Sequence, residues 1–525
     1  LSDRLEAKST VKPLDIAILR LPHVSSEAHE RAAPFGLCGR TRLLARSLRV
    51  KRGRSGAPKT GTPASRFCFP TEFSRFFVFS LDRGAFHVGR ITPSEAYMSF
   101  QEPVNATDIC ALRRDVHRWP EPGWAEFVSS ARVIEHLEKA GLKVLCGREV
   151  INDAFIRGAN RKQIEAGLAA AREKGVSEAI LKRLDGVTGV AGILETGRPG
   201  PVVALRFELD CVPVTETAAP EHTPNREGFA SQNPGYMHAC GHDGHQAVGM
   251  ALADWLAANR DNLSGTVKLL FQPAEEGVRG ARPMVESGIV DDVDFLYCMH
   301  VGCDIPGGEV VVAPEKFLCT TKVDFRFRGT PSHAGMQPEV GRNALMAAST
   351  AALALMALPR HGEGMTRVNV GYLRAGEGRN VIASTAEMQV EVRGENEKIN
   401  TTMFEEALAR VEGAAAMYGC TVTHEVMGEA VDFVPDARAR DFAAEAAAKA
   451  PYVEKVVETM NFNGSDDATV LIKRVQKKGG EGAYIVVGSK LDAGHHQAAF
   501  DFEEKRLETI FAIYRNLLVR HNGGC

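Results

Sequence analysis

The sequence contains no run of about 18 to 20 consecutive apolar residues, the length a helix needs to cross a bilayer. Its nearest stretch, 344–358, is shorter, rich in alanine and interrupted by Ser349 and Thr350, so it reads as a packed helix and no membrane span is expected. An excess of one charge is also missing. A net charge of −3, with 25% charged and 44% apolar residues, excludes a disordered polyelectrolyte and a dedicated nucleic-acid binder, which leaves a small molecule as the expected partner. Dense, short-loop cysteine spacing is absent too. The 11 cysteines are scattered and odd in number, which suits a reducing compartment, the cytoplasm, better than a disulfide scaffold.

What is present divides unevenly. A chain of 525 residues exceeds one compact core, so at least two domains are expected. Residues 1–97 hold 17 Lys plus Arg against 8 Asp plus Glu, about +9, while the rest carries about −12. This basic segment shows no sustained helical or strand period, and it reads as lying outside the fold. A transit peptide and a basic arm for a polyanion are alternatives. An upstream extension with the natural start at Met98 is preferred, because the chain begins with Leu1.

From Met98 the pattern becomes regular. Helices are expected at 112–117, 124–140 and 246–259, the last capped near Asp243, and strands at 202–209, 266–271, 295–301 and 309–313. The Pro-rich stretch 212–236 reads as a loop. Strands alternating with helices predict an α/β fold with a mixed, mainly parallel sheet and flanking helices. Near Phe317 the rhythm changes to strand 321–327, helix 343–358, strands 367–373 and 386–393, helix 402–417 and strand 421–426. That βαββαβ order predicts an inserted α+β lid or dimerisation domain at 317–427, set into a metal-binding domain formed by 98–316 and 428–525. After it come a helix at 437–450, a strand at 483–488 and a final helix at 503–517.

One stretch carries the chemistry. Met237-His238-Ala239-Cys240-Gly241-His242-Asp243-Gly244-His245 places three imidazoles, a thiol and a carboxylate within nine residues, interleaved with glycines. Imidazole and thiolate are the usual ligands of zinc and related ions. A pair of divalent ions needs about four to six protein ligands. The chain offers Cys240, His242, Glu276, His300 and either His495 or His496, with Glu275 beside Glu276 free to act as base. Taken singly, Glu275-Glu276 is an ordinary solvated pair, His300 a buried histidine and His495-His496 a polar turn. His238 and His245 read as shaping the loop and the first helical turn. Asp210, Glu275, Glu276 and His300 all fall at or near strand ends, where α/β sheets bind ligands.

The motifs 205–210, 237–245, 272–277, 299–302, 329–335 and 500–504 follow the order seen in the M20 metallopeptidase family, and the chain resembles its amidohydrolase branch over about residues 108–520. The resemblance implies two divalent ions, manganese or zinc, held by Cys240, His242, Glu276, His300 and His496, with His496 preferred for its spacing from Phe500-Asp501-Phe502. It further implies Glu275 as general base and later acid, and Asp210 as the carboxylate that orients a ligand. His333 would stabilise the oxyanion in the site of a partner copy, and Asn380 with Arg393 would hold the substrate carboxylate. A homodimer follows, with a second, related chain left open. The implied reaction is hydrolysis of an N-acyl or N-aroyl amino acid, p-aminobenzoyl-glutamate or an indoleacetyl-aspartate type conjugate leading. The alternatives are a deacetylase, a small dipeptidase and a non-catalytic binding subunit. Glu208 stands where relatives often carry Asp or His, which puts a ligand role there in doubt. Asp466-Asp467 replaces the more usual Glu-Asp. Ser465 lacks the strained Gly-x-Ser-x-Gly turn of a serine nucleophile.

Overall fold

The computed structural model describes Phe100 and residues 106–524, so the readings made for residues 1–97 lie outside the described residues. Twelve strands are described: β1 Lys143–Cys146, β2 Val190–Glu195, β3 Val202–Glu208, β4 Thr266–Gln272, β5 Phe295–Val301, β6 Glu309–Val311, β7 Cys319–Arg328, β8 Thr366–Ala375, β9 Thr385–Gly394, β10 Thr421–Ala430, β11 Lys455–Val457 and β12 Glu481–Val487. Eight of them form one sheet in the order β1-β2-β4-β3-β5-β12-β6-β11.

The middle of this sheet, β4-β3-β5-β12, is parallel, whereas β1, β2 and β6 run against their inner neighbours. Parallel strands joined by helical crossovers are covered on both faces, which explains why β3, β4, β5 and β12 are buried almost end to end rather than at alternate residues. Helices Phe127–Lys139, His242–Ala258 and Lys505–Asn522 bury one face. Helices Ala281–Val285 and Ala468–Lys477 bury the other.

A second, four-stranded antiparallel sheet has the order β10-β7-β9-β8. Its Val323, Phe325 and Phe327 alternate with Lys322, Asp324 and Arg326, so one face packs under helices Ala344–Met356 and Glu397–Met417 while the other stays polar. Asn343 and Asn396 cap these helices by accepting the backbone N–H of Met346 and of Ile399. The order strand, helix, two strands, helix, strand matches the sequence pattern.

Several boundaries differ from the sequence reading. The helix expected from Gln246 begins at His242, because Gly241 takes φ 96° and turns the chain directly into the helix. His242 and His245 therefore stand three positions apart on one helix face. The helix expected from Trp124 begins at Phe127, since Trp124 itself has φ 70°. The loop 212–236 contains one helical turn, Thr223–Arg226. Helices Arg161–Glu173 and Ala468–Lys477 were not legible as separate elements. Among the described residues no helix is long and apolar enough to cross a membrane, and the eight described cysteines are unpaired.

Candidate metal centre and active site

The carboxyl ends of β3, β4 and β5 deliver Asp210, the Glu275-Glu276 loop and His300 to one end of the parallel sheet. The loop before helix His242–Ala258 adds Cys240, and His242 opens that helix. A fifth contribution comes from the far end of the chain: the backbone N–H of His496, a residue at φ 63°, donates to the carbonyl of Ala239 at 2.8 Å. This one bond joins segments more than 250 positions apart.

The side chains converge accordingly. Cys240 Sγ lies 3.4 Å from His300 Nε2, His496 Nε2 3.1 Å from Glu276 Oε1, and His242 Nε2 3.9 Å from Glu275 Oε2. Donor atoms of Cys240, His242 and His300, of Cys240, Glu276 and His496, and of His242, Glu275 and Glu276 form three groups, each within 4.8 Å. The groups share members, so six residues make one continuous cluster.

Surrounding contacts aim these donors. His242 Nδ1 is 2.9 Å from the Asp210 carbonyl and His300 Nδ1 is 2.8 Å from the Val301 carbonyl. Each carbonyl requires a proton on Nδ1, which leaves the Nε2 lone pair facing the cluster. The Asp210 carboxylate accepts the backbone N–H of Glu275 at 3.1 Å and of Glu276 at 2.9 Å, fixing both glutamates by one group. Buried Glu126 holds the same loop by accepting from Ala274 N at 2.7 Å. Asp243 points elsewhere, accepting from Arg113 Nε and His117 Nδ1 at 2.8 Å each.

The cluster concentrates negative charge. Burial pushes the Glu275 carboxyl well above its usual range, and the charges of Asp466, Glu276 and Asp467 push it further. Burial, Glu276 and Glu275 likewise raise the Cys240 thiol. Burial works against charge on His242, but Asp210 and Glu208 outweigh it and bring the imidazole up to about 10. Among the described residues His242 Nε2 is buried without a hydrogen-bond partner, and Glu276 Oε1 is buried with only the 3.1 Å ion-pair approach of His496 Nε2. A set of acids, a thiol and aimed imidazole lone pairs is what a divalent cation satisfies by replacing protons. The donors fit the group.

Behind the cluster, Arg206 is fully buried and bonded to Glu208, to Asp466 and Asp467 at 3.2 Å each, and to Gln272 at 3.0 Å. Asp467 accepts the backbone N–H of Gly280 at 3.0 Å and Ala281 at 2.9 Å, which ties this network to the glutamate loop. Sequence reasoning passed over Arg206 and Glu126. An arginine embedded among Val202, Val203, Ala204, Leu205 and Phe207 was the available signal for the first, and nothing marked the second. Glu208 accepts from His245 Nδ1 at 2.7 Å, so it orients a histidine and lies outside the donor groups.

The remaining candidates divide. His495 stands apart from His496: its Nε2 accepts the N–H of Cys303 at 3.0 Å, while its Nδ1 is buried with no partner among the described residues. With His300 and Cys303 it forms a further donor group. Arg393 lines the cavity that holds the cluster, about 390 Å³ in volume. His333 and Asn380 do not line it. They lie exposed at the lid, joined by Ala334 N donating to the Asn380 carbonyl at 3.0 Å. His333 Nδ1 accepts the N–H of Gly335 and Met336 at 3.1 and 3.0 Å, so the ring carries its proton on Nε2 as an outward donor.

Residues 204–520 match peptidase family M20/M25/M40, an interval that spans every cluster donor. The chain belongs to this family. Among its M20 relatives, a p-aminobenzoyl-glutamate hydrolase homolog of Haemophilus influenzae is 46% identical over 416 residues, covering 79% of this chain and 98% of that one. The indole-3-acetyl-aspartic acid hydrolase of Enterobacter agglomerans is 45% identical over 400 residues, covering 76% and 92%. The crystal structure of the aminobenzoyl-glutamate utilization protein from Klebsiella pneumoniae superposes with a TM-score of 0.68 at 37% identity, covering 79% and 96%.

In this M20 chain the glutamate loop closes through Val278 N to the Glu275 carbonyl at 2.6 Å and Arg279 N to the Ala274 carbonyl at 3.1 Å. The closure leaves no room at Gly280, where a Cβ would stand 1.7 Å from the Pro273 carbonyl oxygen. Gly280→Ala is therefore expected to lower stability by about 1–3 kcal/mol, read as a lower urea midpoint. An unchanged midpoint would show that the loop absorbs the methyl group.

Proposed function

We propose that this M20 chain is a metallo-amidohydrolase that cleaves the amide bond of N-acyl or N-aroyl amino acids, with aroyl or indoleacetyl conjugates of glutamate and aspartate as preferred substrates. The observation that carries this reading is that the donor atoms of Cys240, His242, Glu276, His300 and His496 fall in overlapping groups, each within 4.8 Å, with Glu275 among them. The chemistry named for relatives at 45–46% identity, p-aminobenzoyl-glutamate and indole-3-acetyl-aspartate hydrolysis, supports the substrate class.

Those five residues would hold two divalent cations, manganese or zinc, which when bound polarise a carbonyl and lower the pKa of water. Glu275, beside the donors and with its pKa raised, takes the proton of the attacking water and returns it to the leaving amine. Asp210 keeps the loop that bears both glutamates in register. Arg393 holds the substrate's α-carboxylate with paired N–H donors. A larger cavity of about 760 Å³ meets the first at Glu276 and His496 and runs past Tyr236 and Val214, room for the acyl or aryl group.

His333 and Asn380 act in the site of the other copy in a homodimer, which would cover lid residues Met336, Leu353 and Met417, now 77%, 74% and 70% exposed. We assign residues 98–316 and 428–525 to the metal-binding domain, 317–427 to the lid, and the cytoplasm as compartment. The Haemophilus relative is named as one subunit of its hydrolase, which favours a second, different chain as an accessory.

Extensive chelation is expected to reduce hydrolysis of p-aminobenzoyl-glutamate to background, and manganese or zinc to restore it. Full activity after removal of bound metal, verified by elemental analysis, would contradict the assignment.

A further inference from the structure

The polar face of the lid sheet carries two cations toward the cavity, and the proposed reaction needs only one of them for an α-carboxylate. The register pairs Thr320 with Arg393 and Lys322 with Glu391 across β7 and β9, so these four side chains share one face. All four line the cavity that also holds Glu276, His300 and His496. The Glu391 carboxylate accepts from Lys322 Nζ at 2.6 Å, from Arg393 Nη2 at 3.0 Å and from Thr320 Oγ1 at 3.3 Å. Arg393 Nε adds a further ion-pair contact of 3.0 Å.

This arrangement is already a carboxylate cradle. Two cationic heads lie within 3.0 Å of one carboxylate, close enough to be bridged by a ligand that bears two carboxylates a few bonds apart. Glu391 cancels one of the two charges, and the wall keeps one net positive charge. Lys322 Nζ uses one of its three N–H groups on Glu391 and has no other partner among the described residues. Arg393 Nη1 has no partner among the described residues.

We propose that Lys322 sets the preference for an acidic leaving amino acid: it binds the side-chain carboxylate of a glutamyl or aspartyl substrate while Arg393 binds the α-carboxylate. Glu391 holds the two cations at the matching separation and, as their standing partner, keeps the wall from capturing monocarboxylates by charge alone. The inference rests on the amidohydrolase reading and adds to it the residue that chooses the amino acid.

The test compares p-aminobenzoyl-glutamate with p-aminobenzoyl-glutamine, which has the same length without the second charge, on the full chain supplied with manganese. The native protein should prefer the glutamate compound. Lys322→Gln should cut the ratio of the two kcat/KM values by about 10- to 100-fold, the worth of one charged hydrogen bond, mainly through KM for the glutamate substrate. Lys322→Arg should recover most of the ratio, which separates loss of charge from loss of folding. A parallel fall for both substrates in Lys322→Gln, or equal use of both by the native protein, overturns the inference and leaves the amidohydrolase reading standing. Hydrolysis of neither by the metal-loaded native protein overturns both.

Discussion

Glu275→Gln is expected to lower turnover of p-aminobenzoyl-glutamate by about 10²- to 10⁴-fold, the usual worth of a general acid–base group, while metal content stays at the native level. Glutamine keeps the volume and one acceptor oxygen but cannot take up a proton. The position is nearly buried, 9% exposed, and its backbone is fixed by Asp210, so the substituted side chain has little freedom to move. Glu276 is turned toward His496, and Glu275 faces His242. One carboxylate can thus bind a cation while its neighbour handles protons. Burial and three neighbouring acids also make Glu275 willing to keep a proton, as the return step to the amine requires. Metal analysis by mass spectrometry and steady-state kinetics check the prediction together. An unchanged rate removes the proposed base; a lost rate accompanied by lost metal moves Glu275 into the ligand set.

The second large effect concerns stability. Arg206→Met is expected to destabilise the fold by about 3–5 kcal/mol, because it strands buried carboxylates that a single guanidinium now compensates. Glu208, Asp466 and Asp467 all bond to Arg206, and Asp466 and Asp467 are 4% and 0% exposed. Tyr484 donates to Asp466 at 2.6 Å and Gln272 to Asp467 at 2.7 Å, but these neutral donors cannot balance the charge.

The loss should depend on pH in a definite direction. Burial raises Asp467 from 3.8 to about 7 even with Arg206 present to oppose it. A carboxyl with a raised folded pKa is stabilising below its unfolded value and loses that contribution as pH rises through the folded one. Removing Arg206 raises the pKa further and strands Asp466 as well. The deficit of Arg206→Met relative to the native chain should therefore be larger at pH 8 than at pH 5. Urea unfolding at both values measures it, and a deficit that grows toward low pH would refute the charge explanation.

Much of the fold was readable because burial writes itself into composition. Continuous apolar runs marked β4 and β5, alternation marked β7, and the alanine-rich stretch 343–358 marked a helix. The start of helix His242–Ala258 was missed because Gly241 adopts a left-handed turn that no side-chain pattern announces. The mixed, mainly parallel sheet was expected, but its two outermost strands were not read. β1 has four residues and β11 three, too short for any period to show.

The sequence by itself determined which chemical groups are available: a thiol, imidazoles and paired carboxylates near the ends of apolar strands, together with the alternation that builds the lid. Tertiary structure alone decided which of those groups meet. It brought His496, which the resemblance had preferred over His495, against Glu276 through a backbone bond to Ala239. It placed Arg393 in the cavity with Lys322 and left His333 and Asn380 outside it. The physical reason is that ligand character belongs to a side chain and is visible in its type, whereas coordination and charge balance depend on distances set by strand order and loop closure across the whole chain.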